Sequence, residues 1–480
     1  MVIHLAGNSL TIKEAAQMCG GKIARDGEDS LRVCSVCTDS REVTPGSLFL
    51  CLRGLRSDGH KYIPTAAAKG AAGVLCEELP AEPVNVPLIL VNNTIEALGA
   101  LAKAYTKDLP VRRVAVTGSV GKTTTKEMIA GVLSSRNCFR TEGNFNSVIG
   151  MPLSLLRVPA QAGFAVFEVG LVFDVGFREH RQISHMSRIV SPEIAVVTNV
   201  GSSHMEHFAD RKALIAEKLG IREGLVPGGT LLLSAALCGE AGIGPEDLSG
   251  RHLRTFSVTG EPADFRAENI REDRDGQSFD AVCPDGTVIP LRLGLYGIHN
   301  VQAALISAAV GYLSGIPTEE MQKAIAAYTP YALRQEVRRF GDITLITDCY
   351  NASPESMRAA CDVLTGPSVG ARRTFAVLGD MLELGTESLQ MHRNTGVYFG
   401  QKGLQYLAAF GERAAAIAEG AADYMSEDRI ARFADKENPQ APADWISERL
   451  QPGDAVLVKA SRGMAAERIS ALLAEALRKR

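Results

Sequence analysis

Residues 113–133 constrain this chain more than any other segment. The apolar run Arg113-Val114-Ala115-Val116 enters Thr117-Gly118-Ser119-Val120-Gly121-Lys122-Thr123-Thr124, and a helical pattern follows over 125–133. A strand that ends in glycines and feeds a helix turns backbone N–H groups around an anion, at the positive end of the helix dipole. Gly118 and Gly121 leave room for a phosphate to approach the backbone at Ser119, Val120 and Thr124. Lys122 then supplies a mobile cation for the phosphates and Thr123 a hydroxyl for Mg²⁺. The full Walker A pattern has a glycine five residues before the lysine, where this chain has Thr117. The placement between a clean strand and a helix makes nucleotide binding the expectation. A glycine-rich turn without a ligand is the alternative.

Such a unit belongs in an open α/β sheet, and the flanking sequence supplies one. Apolar runs at 164–169, 194–200 and 230–233 alternate with helical patterns, as in a mostly parallel sheet covered on both faces. Upstream lie short strand-like runs at 47–52, 73–76 and 87–91, and a helix that starts at Thr11 with Glu14 three residues on, a capping-box pattern. Beyond a helix at 301–313 the alternation restarts, with strands at 343–347, 374–378, 406–410 and 455–459. Breaks at 106–110 and 329–333 divide the chain. The expectation is an α/β protein of three domains: a small N-terminal α/β domain over 1–107, a central P-loop ATP-binding domain with a mostly parallel sheet over 108–329, and a C-terminal Rossmann-like α/β domain over 330–480.

Composition narrows the function classes. A net charge of -4 and no basic stripe argue against nucleic acid as a partner. The first residues lack the basic n-region and apolar core of a secretory leader. The longest stretch without charge, 293–318, is interrupted by Gly294, Gly297, His299, Asn300, Gln302, Ser307 and Pro317, which fits a buried helix rather than a membrane span. The ten cysteines are scattered and read as reduced thiols, so a cytoplasmic protein is expected. Cys34-x-x-Cys37 has redox or zinc spacing, but no second pair follows, and two half-buried residues are the expectation.

Three further residues carry chemistry. Glu168 ends an apolar strand at its carboxyl edge, where a Mg²⁺–nucleotide site needs a carboxylate; an edge residue in water is the alternative. His204 follows the strand at 194–200 through Gly201-Ser202-Ser203, again at a carboxyl edge, and His207 competes for the same role. Lys218 shares a helical stripe over 211–224 with Leu214, Ile221 and Leu225. A lysine on an apolar stripe costs free energy unless it is paired, chemically altered, or snorkels its stem to the surface.

Several longer segments resemble one family. TGSVGKTTTKE, EGNFNSVIGMPLSLL (142–156), FEVG (167–170), TNVGSSHMEHF (198–208) with AEK (216–218), and GIHN (297–300) are similar to the Mur ligases of peptidoglycan synthesis, which also lack the extra Walker glycine. TDSR (38–41), RGLRSDGH (53–60), TDCYNASPESM (347–357), VLGDMLELGTES (377–388) and VKASRGMAAE (458–467) resemble the branch that takes a dipeptide. The resemblance implies ATP as cofactor, two Mg²⁺ ions, and the substrates UDP-muramoyl-tripeptide and D-alanyl-D-alanine, joined by a monomer. Lys122 and Thr123 would bind phosphate and the first Mg²⁺, with Glu168 shared between the ions and His204 on the second. Lys218 aligns with the lysine that family members carbamylate, becoming a carboxylate-like metal ligand. Asp39, Ser40 and Arg41 would hold the UDP end, and Asn144 and Asn146 the muramoyl-peptide side. Asn300, Arg334 and Asp348 would contact ATP, Asn351 the substrate, and 378–385 would shape the dipeptide pocket.

Three departures stand out. Ala303 replaces a second asparagine after the GxHN histidine, Ser147 stands where asparagine is frequent, and 171–182 lacks the usual glycine- and glutamate-containing stretch. The implied chemistry is acyl activation by ATP followed by attack of an amine. The alternatives are a ligase of the same architecture adding one amino acid, and a nucleotide-dependent switch. A switch could dispense with Glu168, His204 and Lys218 together.

Overall fold

The computed structural model describes residues 1–25, 31–54, 57–173, 181–331 and 333–479. Residues 55–56 of the 53–60 motif and 174–180 of the divergent 171–182 segment lie outside the described residues. Among the described residues the strands form sheets of six, nine and six strands, with a two-stranded ribbon beside the first.

The first sheet runs Val2–His4, Ser35–Cys37, Ser47–Leu50, Gly73–Cys76, Leu88–Leu90, Lys22–Arg25; its four central strands are parallel and its two edges antiparallel. The expected capping box is present. Thr11 Oγ1 accepts from Glu14 N at 3.1 Å and Glu14 Oε2 from Thr11 N at 2.7 Å, which starts the helix Ile12–Cys19. All ten cysteines are free thiols. The expectation of two half-buried residues fails at Cys34 and Cys37: Cys34 is exposed, whereas Cys37 is buried and its thiol donates to the Asp39 carbonyl at 3.1 Å.

The central sheet has the order Cys138–Arg140, Phe164–Glu168, Arg112–Thr117, Ile194–Val197, Thr230–Ser234, His252–Ser257, Phe265–Asp273, Gly276–Val282, Val288–Leu293. All pairs are parallel up to Phe265–Asp273, and the last two are antiparallel. After Arg112–Thr117 the chain places its next two strands on one side, the edge strand first and then the one between, and afterwards builds outward on the other side, so the strand order reverses at this strand. That switch point opens a crevice at the carboxyl ends, where open sheets bind ligands. The chargeless stretch becomes the helix Ile298–Leu313, buried from Asn300 to Gly311 against the sheet and the helix Lys122–Val132. No helix among the described residues is long and apolar enough to cross a membrane. The helix after the glycine loop begins at Lys122, three residues earlier than its apolar pattern suggests, because Gly121 at φ 83 turns the chain directly into it. The helix expected over 211–224 is α-helical only over Arg211–Leu219 and tightens to a 3₁₀ helix over Gly220–Gly224, where Gly224 lies against the Ser187 backbone.

That tight segment carries Glu223, which binds the helix Gln182–Val190 from outside. Its carboxylate accepts from Ser184 Oγ at 2.7 Å and pairs with Arg181 at 2.5 Å and Arg188 at 2.7 Å. Burial pushes the carboxyl up, but the bonds from Ser184, Arg188 and Arg181 outweigh it and hold it at about 2, below its ordinary 4.5. A depressed carboxyl stabilises the fold above its unfolded value and loses that contribution as pH falls through the folded one. Glu223→Gln is therefore expected to lower stability by ~1 kcal/mol at neutral pH. Melting curves should show the gap to the parent closing between pH 4.5 and about 2. A gap independent of pH would refute this account.

The third sheet has the order Glu336–Phe340, Ile343–Asp348, Asp454–Lys459, Arg373–Gly379, Tyr406–Phe410, Ile430–Phe433, parallel except at its first pair. The last strand in sequence, Asp454–Lys459, is inserted between Ile343–Asp348 and Arg373–Gly379. It brings Lys459 beside Asp348.

Candidate active site

The carboxyl edges of the second and third sheets face one another across a cleft of about 610 Å³. On the central side lies the glycine loop. Gly118 sits at φ 149, and a Cβ there would lie 2.0 Å from Thr198 Oγ1, so no other residue fits without displacing the next strand. That strand's end also braces the loop: Asn199 Oδ1 accepts from Val120 N at 2.9 Å, and Thr198 Oγ1 and Asn199 Nδ2 donate to the Val120 carbonyl at 2.7 and 2.8 Å. Lys122 Nζ folds back onto the Gly118 and Ser119 carbonyls at 2.8 and 3.2 Å, and burial lowers its pKa. The loop is thus braced by the protein itself, while the Ser119 hydroxyl is buried without a partner among the described residues.

Thr123 is the hub. Its hydroxyl donates to Glu168 Oε2 at 2.8 Å and accepts from Arg334 at 3.0 Å. The other Glu168 oxygen accepts from Asn146 Nδ2 at 2.9 Å, so the carboxylate is aimed from two sides in a buried position. Thr124 also lines the cleft. A hydroxyl and a carboxylate held this way are hard oxygen donors, the type that Mg²⁺ takes.

Lys218 is fully buried, as its stripe with Leu214, Ile221 and Leu225 requires, and its Nζ has no hydrogen-bond partner among the described residues. Snorkelling is therefore excluded. Burial, and secondarily the Lys122 charge, pushes its pKa well below the usual lysine value, and Lys218 does not itself line the cleft. His204 lines the cleft and His207 does not. His207 instead stacks on Phe173 at a centroid distance of 3.6 Å. The Glu383 carboxylate lies 2.9 Å from His204 Nδ1, outside hydrogen-bond alignment, so that nitrogen has no hydrogen-bond partner among the described residues. Burial lowers the His204 pKa, with Glu383 opposing, and favours the neutral imidazole.

The third sheet supplies the opposite wall. Arg334 lies over the Tyr350 ring at 4.0 Å while it reaches Thr123. Asp348 Oδ2 accepts from Lys459 Nζ at 2.6 Å, and Lys459 also donates to the Asn351 carbonyl at 3.0 Å. Asn351 lines the cleft. Asn300 lines it too, but its amide donates to the Tyr296 carbonyl at 2.8 Å and to Gln335 Oε1 at 2.7 Å, tying the two sheets' connections together. Its neighbour His299 lines the same wall, and burial holds it neutral with a pKa of about 4.

Asp39, Ser40, Arg41 and Asn144 are not part of this cleft. Arg41 grips Asp39 at 2.6 Å just after the strand Ser35–Cys37, with Ser40 buried between them, and hydrogen bonds from the Arg41 guanidinium and then its backbone N–H hold the Asp39 carboxyl far below the usual range. Asn144 is exposed. Sequence reasoning did not single out Asn199, Glu355, Glu383 or Lys459, all of which line the cleft. Only Lys459, a lysine ending the apolar run Asp454–Lys459, left a local signal.

The fold and the cleft define a multidomain α/β protein with a mononucleotide-type phosphate loop and a second α/β domain closing over it. Family models match most of its length: Mur ligase family, catalytic domain, over 32–106; Mur ligase middle domain over 116–311; and Mur ligase, glutamate ligase domain, over 333–462. The chain belongs to the Mur ligase family. It is 34% identical over 466 residues to the UDP-N-acetylmuramoyl-tripeptide–D-alanyl-D-alanine ligase of Bacillus subtilis, covering 96% of this chain and 97% of that one. Its identity to the ligase of the same name from Escherichia coli is 32% over 475 residues, covering 97% and 99%. Among solved structures, MurF from Acinetobacter baumannii superposes with a TM-score of 0.86 at 27% identity, covering 98% of this chain and 100% of that one. The Thermotoga maritima MurF ligase in complex with ADP gives 0.79 at 26% identity, covering 92% and 98%.

Proposed function

We propose that this chain joins D-alanyl-D-alanine to UDP-N-acetylmuramoyl-tripeptide at the expense of ATP, in the synthesis of peptidoglycan precursors. The observation that carries the reading is the convergence of Lys122, Thr123, Glu168 and His204 on one cleft, with the unpartnered Lys218 buried outside its lining but within reach of the Lys122 and Glu168 charges, in a chain similar along 96–97% of its length to ligases of that name.

ATP lies with its phosphates on 118–124, Lys122 leaving its own carbonyls for the β- and γ-phosphates, and Arg334, Asp348 and Asn300 closing from the other wall. The tripeptide's terminal carboxylate attacks the γ-phosphorus, the bond to the β-phosphate oxygen breaks, and ADP leaves an acyl phosphate. The amine of the dipeptide then adds to the acyl carbon, loses a proton, and the tetrahedral adduct expels phosphate to leave the amide. Two anions meet in the first step, so Lys122 has to neutralise charge as it moves. Thr123, Glu168 and His204 fit Mg²⁺ as a donor set, and bound Mg²⁺ would stabilise that charge. The Lys218 amine, whose charged form burial disfavours, adds to CO₂ when deprotonated, releasing a proton and forming a carbamate that would supply one more oxygen donor. Asp39, Ser40 and Arg41 serve the UDP end, Asn144, Asn146 and Asn351 the muramoyl-peptide, and closure of the cleft excludes water from the acyl phosphate.

The test is direct. Purified protein with ATP, Mg²⁺ and both substrates should yield the UDP-muramoyl-pentapeptide by mass spectrometry. Phosphate release stimulated by a single amino acid, and not by the dipeptide, would overturn the assignment.

A further inference from the structure

Residues 201–204 bend the chain from the strand Ile194–Val197 to the short helix Met205–His207, and they are gripped from across the cleft. Glu355, in the first turn of the helix Pro354–Leu364, accepts hydrogen bonds from Ser202 N at 2.9 Å and from Ser202 Oγ at 3.1 Å. Gly201 makes this approach possible, because a Cβ there would lie 2.8 Å from the Glu355 carboxyl carbon. The same third-sheet side touches the bend twice more. Glu383 reaches His204, and Gly385 packs so closely on Glu206 that a Cβ would lie 2.9 Å from its Cβ. Within the bend, by contrast, the bonds are short-range turns such as Met205 N to the Ser202 carbonyl at 3.2 Å. His204 itself sits at φ 67, a left-handed conformation that a residue with a side chain holds only when its surroundings fix it.

We propose that Glu355 is a positioning residue. By binding Ser202 across the cleft it fixes the bend that carries His204, so that the imidazole takes its working place only when the third sheet docks on the second. Two bonds to one ionised carboxylate are among the stronger contacts available to such a bend. A carboxylate in a helix's first turn also favours the helix dipole, which is the competing reason for a glutamate at this position. The proposal rests on the reading of His204 as part of the ligase site.

The experiment pairs hydrogen exchange on the metal-free full chain with kinetics in ATP, Mg²⁺ and both substrates, for the parent, Glu355→Ala and Glu355→Gln. Glu355→Ala should exchange several-fold faster over 199–206 with 112–117 unchanged. It should also need several-fold more Mg²⁺ for half-maximal rate and lose about tenfold in kcat, the scale of one lost bond to a charged group. The KM for ATP should change little. Glu355→Gln, which keeps an oxygen acceptor for Ser202 N, should recover most of the loss. The proposal is overturned if Glu355→Ala exchanges and turns over like the parent. It is equally overturned if both variants fall alike, with a lower Tm and an unchanged Mg²⁺ requirement, since that pattern belongs to a helix-supporting role. Exchange is read without substrates, so a parent that makes no amide refutes the ligase reading alone and leaves the exchange result to decide on Glu355.

Discussion

Lys218→Met should give a protein that melts higher than the parent and makes almost no amide. The two halves of this expectation have one cause. The Lys218 amine is fully buried and has no partner among the described residues. A buried polar group left unsatisfied costs about 1–3 kcal/mol, and methionine fills nearly the same volume beside Leu214 and Ile221 without that cost. A gain of this size raises Tm by about 2–4 °C per kcal/mol in a domain of this kind. Removing a group that stabilises charge in the reacting centre lowers kcat by about 10²–10³. Natural sequences keep destabilising residues where chemistry needs them. The carbamate account adds a sharper check. Degassed, bicarbonate-free buffer should slow the parent, added bicarbonate should restore it, and Lys218→Met should respond to neither. An active Lys218→Met, or a parent indifferent to CO₂, defeats the account.

Lys122→Ala is expected to leave the loop folded and lower kcat about 10²–10³-fold, with a weaker effect on the KM for ATP. The loop survives because Asn199 and Thr198 brace Val120, and the Gly118 and Ser119 carbonyls that Lys122 now occupies turn to water. The rate does not survive because no neighbour can substitute. Among the described residues lining the cleft, Arg334 is already committed to Thr123 and the Tyr350 ring, Lys459 to Asp348, and Arg462 to Glu467. Steady-state kinetics with circular dichroism as a folding control decide it. A variant within about threefold of the parent would mean that charge neutralisation lies elsewhere.

What could be read from the sequence was what is contiguous. The strand, glycine loop and helix at 112–132 are one covalent unit, and Glu168 and His204 announce themselves by following apolar strands. Lys218 was legible because a helix repeats its stripe every turn, and Leu214, Ile221 and Leu225 fix the face on which it falls. Asn199 and Glu355 were not legible, since their partners lie 79 and 153 residues away and nothing near them hints at the meeting. Glu383 escaped for a related reason: the segment around it reads as a motif, but its approach to His204 exists only once two sheets face each other. The antiparallel strands Phe265–Asp273, Gly276–Val282 and Val288–Leu293 were missed because they bury one face only. Their charged residues broke the apolar runs that marked the parallel strands.

Cys34 is the exposed one among ten thiols, with Cys138 and Cys238 partly covered and the others buried. It lies next to the first sheet, and no cysteine lines the cleft. The thiolate is the form that reacts with maleimides, and burial pushes the Cys138 thiol up to about 12 and also raises that of Cys238, so both stay protonated and slow. The unaltered chain therefore carries its own attachment point for a single dye, outside the lining of the cleft.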